Sequence, residues 1–108
     1  MKLLVVRYAR ERGQSDVEQA ENLLHAADGV AALPGLVWKI WTYNDAEQAA
    51  GGVYLFDSEA HARAWGDGTV QAALARLPGV GDVQTSYYDV DEKLSAITRA
   101  PLATAAPV

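Results

Sequence analysis

The chain predicts an α+β domain: a four-stranded antiparallel sheet with its helices on one face, in the ferredoxin-like order strand, helix, strand, strand, helix, strand. Three observations carry this. Apolar runs of strand length alternate, in that order, with stretches of helical periodicity. The two halves echo each other, because Leu33-Pro34-Gly35 and Leu77-Pro78-Gly79 each stand between a helix end and a strand start. Finally, 108 residues suit one domain, since single domains run to roughly 100–150 residues. That domain is expected over residues 1–98, with the Ala-, Thr- and Pro-rich residues 99–108 as a flexible tail.

Leu3 to Ala9 is aliphatic, too short for a globular helix and bounded by the cluster Arg10 to Gly13, so it is the first strand. Ser15 with Glu18 three residues on forms a capping box. Val17, Ala20, Leu24, Ala27 and Ala31 then follow at helical spacing, which predicts a helix from about Asp16 to Ala32. Asp28-Gly29 weakens its last turns, and Leu33-Pro34-Gly35 ends it. Leu36 to Tyr43 holds the β-branched and aromatic residues that suit a pleated surface and forms the second strand. A polar connection from Asn44 to Ala50 leads into the third, Gly51 to Phe56, as an antiparallel hairpin. Asp57 or Ser58 caps a helix from Glu59 to about Trp65. Gly66-Asp67-Gly68 interrupts it, and it resumes from Thr69 to Leu77, where Pro78-Gly79 stops it. Val83 to Val90 is the last strand, and Asp91 opens a short capped turn containing Leu94 and Ile97.

The second strand is apolar or aromatic on both parities, Leu36, Trp38 and Ile40 on one and Val37, Trp41 and Tyr43 on the other. The sheet face away from the helices is therefore not purely polar, and a second copy laid against it is the economical cover, which predicts a homodimer through the sheet face. Lys39 sets the expected parity. A lysine in mid-strand does not belong beneath helices, so Val37, Lys39, Trp41 and Tyr43 are expected toward the partner or a cavity, and Leu36, Trp38 and Ile40 under the helices. The inverse holds if Lys39 lies at a sheet edge and snorkels to water. Arg7 and Tyr8, like Tyr87 and Tyr88, point to opposite faces in either case.

Composition excludes several function classes. Nine Lys and Arg against fourteen Asp and Glu give a net charge of -5, which opposes the phosphate neutralisation behind nucleic-acid affinity. With no cysteine there is no disulfide, thiolate metal site or cysteine nucleophile. No apolar run approaches the ~20 residues of a membrane-spanning helix. The start lacks a signal peptide's sustained apolar stretch, so a cytoplasmic location is expected. His25 and His61 stand outside any metal-ligand spacing, no serine lies in a G-x-S-x-G elbow, and Gly51-Gly52 enters a strand and so is not a phosphate loop. That glycine pair points instead to a bulge or a close backbone approach. What stands out is three Trp and five Tyr against one Phe, side chains that combine flat apolar area with a polar handle and serve interfaces or a pocket.

Three blocks carry a resemblance: Pro34-Gly35-Leu36-Val37-Trp38-Lys39-Ile40-Trp41-Thr42, Ala50-Gly51-Gly52-Val53-Tyr54-Leu55-Phe56, and Tyr88-Asp89-Val90-Asp91-Glu92-Lys93-Leu94-Ser95. Together they resemble the YdhR-like family of small monooxygenases over nearly the full chain. The resemblance implies a dimeric α/β barrel with a pocket between sheet and helices in each subunit. It also implies an oxygenase that needs no metal, flavin or other cofactor and oxidises a small phenolic or quinol-type compound with dioxygen. The alternative on the same fold is a non-oxidative cyclase or isomerase, or a binder of a hydrophobic metabolite. The expected catalytic residues are Lys39, whose charge favours the phenolate, and Tyr54, a hydrogen-bond donor. Trp38 or Trp41 supplies a stacking wall, and Tyr8, Arg7 and Phe56 complete the substrate site. The sequence departs from the family pattern before the glycines, where Ala49 replaces a common acidic residue and Glu47 is the nearest substitute.

Overall fold

The computed structural model describes residues 1–10, 16–77 and 79–102, so the Ser15 cap and Pro78 lie outside the described residues. The elements are β1 (Lys2–Arg10), α1 (Asp16–Ala31), β2 (Leu36–Asn44), β3 (Ala49–Phe56), α2 (Glu59–Gly66), α3 (Thr69–Leu74), β4 (Val80–Asp89) and α4 (Glu92–Ile97). The strands form one antiparallel sheet in the order β2-β3-β1-β4, the expected ferredoxin-like arrangement. The repeat seen in the sequence is a repeat of backbone: Gly35 and Gly79 turn with φ of 77° and 78°, a left-handed conformation that glycine adopts without a Cβ clash. No helix among the described residues is long and apolar enough to cross a membrane.

Alternation on the central strands sorts the two faces. Leu4, Val6 and Tyr8 of β1 and Tyr54 and Phe56 of β3 are buried toward the helices, where Val30 of α1, Ala62 of α2 and Val70 of α3 meet them. Ser58 caps α2 by accepting from the His61 backbone N–H at 3.2 Å. The break between α2 and α3 is tied to β4 by Tyr87, whose hydroxyl donates to Asp67 at 2.5 Å while Arg63 lies 4.4 Å over its ring.

The parity expected for β2 is corrected by the register. Leu36 pairs with Phe56 and Trp38 with Leu55, so Val37 is an extra residue on β2, a bulge. One extra residue flips every side chain beyond it. Leu36 stays on the helix side with Phe56, but past the bulge Lys39, Trp41 and Tyr43 join it there, opposite Tyr54, Gly52 and Ala50. Trp38 and Ile40, expected beneath the helices, lie on the open face with Leu55 and Val53.

Asp91 caps α4 by accepting from the Leu94 backbone N–H at 2.9 Å. Beyond α4 the Pro101 carbonyl accepts the Trp38 indole N–H at 2.8 Å. The chain through Pro101 is thus held against one end of the open face, and Leu55, opposite Trp38, is only 1% exposed there. Residues 103–108 of the expected tail lie outside the described residues.

Candidate functional site

A cavity of about 320 Å³ lies between the helix-facing side of the sheet and α1, α2 and α3. Its floor is Val6 and Tyr8 of β1, Gly52 and Tyr54 of β3, and Lys39 and Trp41 of β2. Leu23, Ala26 and Val30 of α1, Trp65 of α2, and Val70 and Leu74 of α3 form the roof. The space exists because small residues face it: Ala26, Ala73 and Gly52 leave room that larger side chains would fill. A cavity of this size and apolarity is at the lower end of the ~300–1,000 Å³ that small-molecule sites occupy.

Lys39 is the charge-bearing group of this lining. Its side chain crosses β3 at Gly52, where a Cβ would collide with its Cε. The Nζ rests 3.2 Å from the centroid of the Trp41 ring and 4.5 Å from that of Tyr54. No carboxylate among the described residues forms an ion pair with it. Burial without a counter-charge lowers its pKa from 10.5 to about 7. The two ring faces oppose that shift, since their quadrupoles attract the ammonium. Burial raises the pKa of Tyr8 and of Tyr54, which keeps both phenols as O–H donors near neutral pH.

Tyr54 is itself braced. Its ring stacks on Phe56 at 6.0 Å with 14° between planes, and Trp65 tilts against it at 6.3 Å and 56°. Of the residues expected in the site, the fold brings together Lys39, Tyr54, Trp41 and Tyr8. Phe56 is fully buried behind Tyr54 and supports it without lining this cavity. Trp38 and Arg7 sit on the opposite sheet face, Arg7 paired at 2.9 Å with Glu47, so Glu47 does not stand in for an acid in the cavity. His61 binds Asp57 at 2.6 Å outside this cavity, and the described residues hold no cluster of metal-ligating side chains.

Sequence reasoning missed Trp65 and the part played by α1. Ala62 and Trp65, three apart on α2, are one helical face, and that spacing was the available signal for Trp65.

A family model described as "Putative mono-oxygenase ydhR" matches residues 3–101. Among solved structures, the chain is similar to a Nitrosomonas europaea protein of unknown function, NE2512, with a TM-score of 0.63 and 21% identity over 99% of this chain and 94% of that one. It is also similar to a mutant of MhuD crystallised with two manganese protoporphyrin IX molecules bound per active site. There the TM-score is 0.62 and the identity 19%, over 84% of this chain and 95% of that one. At these identities the likeness is one of fold. No functionally curated protein matches.

Proposed function

The chain belongs to the ydhR mono-oxygenase family, and from this premise we propose that the cavity binds a small phenolic or quinol-type aromatic and presents it to dioxygen without a cofactor. The observation that carries the reading is Lys39: an amine in an apolar cavity, between aromatic faces, with no carboxylate partner among the described residues. Near neutral pH such an amine accepts a proton from a phenol, and the resulting ammonium stands beside the phenolate it has made, where low dielectric strengthens their attraction. Trp41 gives the ring a flat wall.

A phenolate is electron-rich enough to supply its own reducing equivalents. In the net reaction a phenol and dioxygen give a quinone and water. One oxygen atom becomes the new carbonyl, and the other leaves with the hydroxyl hydrogen and the hydrogen of the oxidised ring carbon. No external reductant enters the balance. A porphyrin, by contrast, finds no imidazole, thiolate or thioether among the described residues lining this cavity, and burial holds the phenols of Tyr8 and Tyr54 in their neutral form.

The test is oxygen uptake by purified protein with dihydroxynaphthalene or anthrone-type substrates, in chelator and against a protein-free control for autoxidation. Substrate-dependent uptake that survives chelation is expected. Binding without uptake would replace the oxygenase with a non-oxidative cyclase, isomerase or carrier.

The open face supports a second copy of the chain as partner. Ile40 and Tyr88 are 55% and 54% exposed on it, flanking half-buried Val5 and Val53. We expect wild-type protein to sediment as a dimer and Ile40→Glu, which places an unpaired carboxylate in that contact, to sediment as a folded monomer. A wild-type monomer at micromolar concentration sinks the proposal.

A further inference from the structure

The indole N–H of Trp65 is buried and has no hydrogen-bond acceptor among the described residues. Buried polar groups are satisfied in the great majority of cases, and one left open costs stability, so its persistence calls for a partner that arrives from outside. Beside it is the Tyr54 hydroxyl, near enough for the indole to ease phenol ionisation but not in hydrogen-bonding geometry with it. Both residues line the cavity, and they come from opposite walls, Trp65 from α2 and Tyr54 from β3.

Among the described residues, the side-chain polar groups of the lining are one amine, two phenols and two indoles, with no carboxylate or amide. A donor-rich lining of this kind is complementary to a ligand that brings an acceptor. We infer that the Trp65 N–H and the Tyr54 O–H donate together to one oxygen of the ligand, so that the cavity selects flat aromatic compounds bearing a phenolic or ketonic oxygen over hydrocarbons of the same shape. This rests on the reading of the cavity as a phenol site and adds the atoms that hold the ligand. Trp65 is thereby a specificity residue, with a role separate from that of Lys39. As charge grows on the ligand oxygen, two fixed donors bind it more strongly than they bind the neutral form.

The experiment compares 2-naphthol with 2-methylnaphthalene, which replaces the hydroxyl by a methyl of similar size, by equilibrium titration that requires no turnover. Wild-type protein is expected to bind 2-naphthol about tenfold more tightly than the methyl compound, because the latter leaves both donors unpaired. Trp65→Phe keeps an aromatic wall without the N–H. It is expected to lose most of that preference, to hold 2-methylnaphthalene as wild type does, and to melt no lower than wild type in the absence of ligand. Tyr54→Phe reports on the second donor in the same way and carries the test if Trp65→Phe does not fold.

An undiminished preference for 2-naphthol in both variants overturns the inference, as does equal weakening of both ligands in Trp65→Phe, which would make the indole a wall only. In either case oxygen uptake by the wild type would still support the oxygenase. A wild-type protein that binds neither compound overturns both readings.

Discussion

Lys39→Met is expected to lower oxygen uptake by about 10²- to 10⁴-fold, the range that a positioned proton acceptor contributes, while making the protein more stable. The two effects have one cause. An amine half-buried in an apolar cavity without a carboxylate is costly to charge, and its pKa of about 7, down from 10.5, expresses that cost. In the unfolded chain the lysine keeps its proton up to about 10.5, so between pH 7 and 10.5 the unfolded state binds more protons than the folded one. Wild-type stability therefore rises with pH across that window, and below it the full penalty applies.

Methionine removes the penalty and keeps a soft contact with the Trp41 and Tyr54 rings. Replacing a buried ion pair by apolar side chains of similar volume is often neutral or stabilising by roughly 1–4 kcal/mol, and removing a lone half-buried amine, which leaves no carboxylate behind, is expected to gain within that range. For a domain of this size that is at least about 5 °C in melting temperature. The gain should be largest at pH 6 and fade as the pH approaches 10. The wild-type rate at low substrate should in turn climb through a midpoint near pH 7, as the amine loses its proton, with the midpoint absent from the variant. Uptake unchanged in Lys39→Met, or a variant less stable than wild type at pH 6, is incompatible with this assignment.

The element order was legible because its signals are local. Leu33-Pro34-Gly35 and the Gly66-Asp67-Gly68 break mark their own positions, and the aromatic runs announce strands wherever they sit. The faces of β2 were not legible, since a bulge needs only one residue out of step and Val37 is as good a strand residue as its neighbours. That single residue exchanged the roles of Trp38 and Trp41. The rule that keeps lysine from beneath helices also assumes a packed core, whereas here small residues leave a cavity in which Lys39 lies between ring faces. Composition suggested a loose tail, yet what holds Pro101 is the hydrogen-bonding need of a tryptophan sixty-three positions earlier, a contact that only the folded chain creates. Trp65 was hidden for the same reason: its open N–H becomes visible only once α2 is laid over Tyr54.

The glycine pair yields the second large effect, and it divides cleanly between fold and function. A Cβ at Gly51 would strike the carbonyl oxygen of Val6 and come within 3.1 Å of the Arg7 Cα. These are backbone atoms of β1, the other central strand, and they yield only if the strand pairing opens. Gly51→Ala is therefore expected to cost roughly 3 kcal/mol or more, at the upper end for overpacked sites, and to lower the melting temperature by more than about 10 °C. A Cβ at Gly52 meets instead the far end of Lys39, a side chain with several rotatable bonds, and its one close backbone neighbour, the Ile40 carbonyl oxygen at 3.3 Å, has to give by only a few tenths of an ångström. Gly52→Ala should fold with a melting temperature within a few degrees of wild type, but the amine no longer lies across β3 between the Trp41 and Tyr54 rings. Uptake is expected to fall about tenfold or more, and the midpoint of the pH profile to move up from about 7 toward the ordinary lysine value of 10.5 as the nitrogen regains water. Equal melting losses in the two variants would contradict the division, and an unmoved midpoint in Gly52→Ala would show that Lys39 reaches its position without the space Gly52 leaves. Two adjacent identical residues that read as one feature in the sequence thus serve separate ends, because alternation along β3 turns one toward the backbone of β1 and the other toward the cavity.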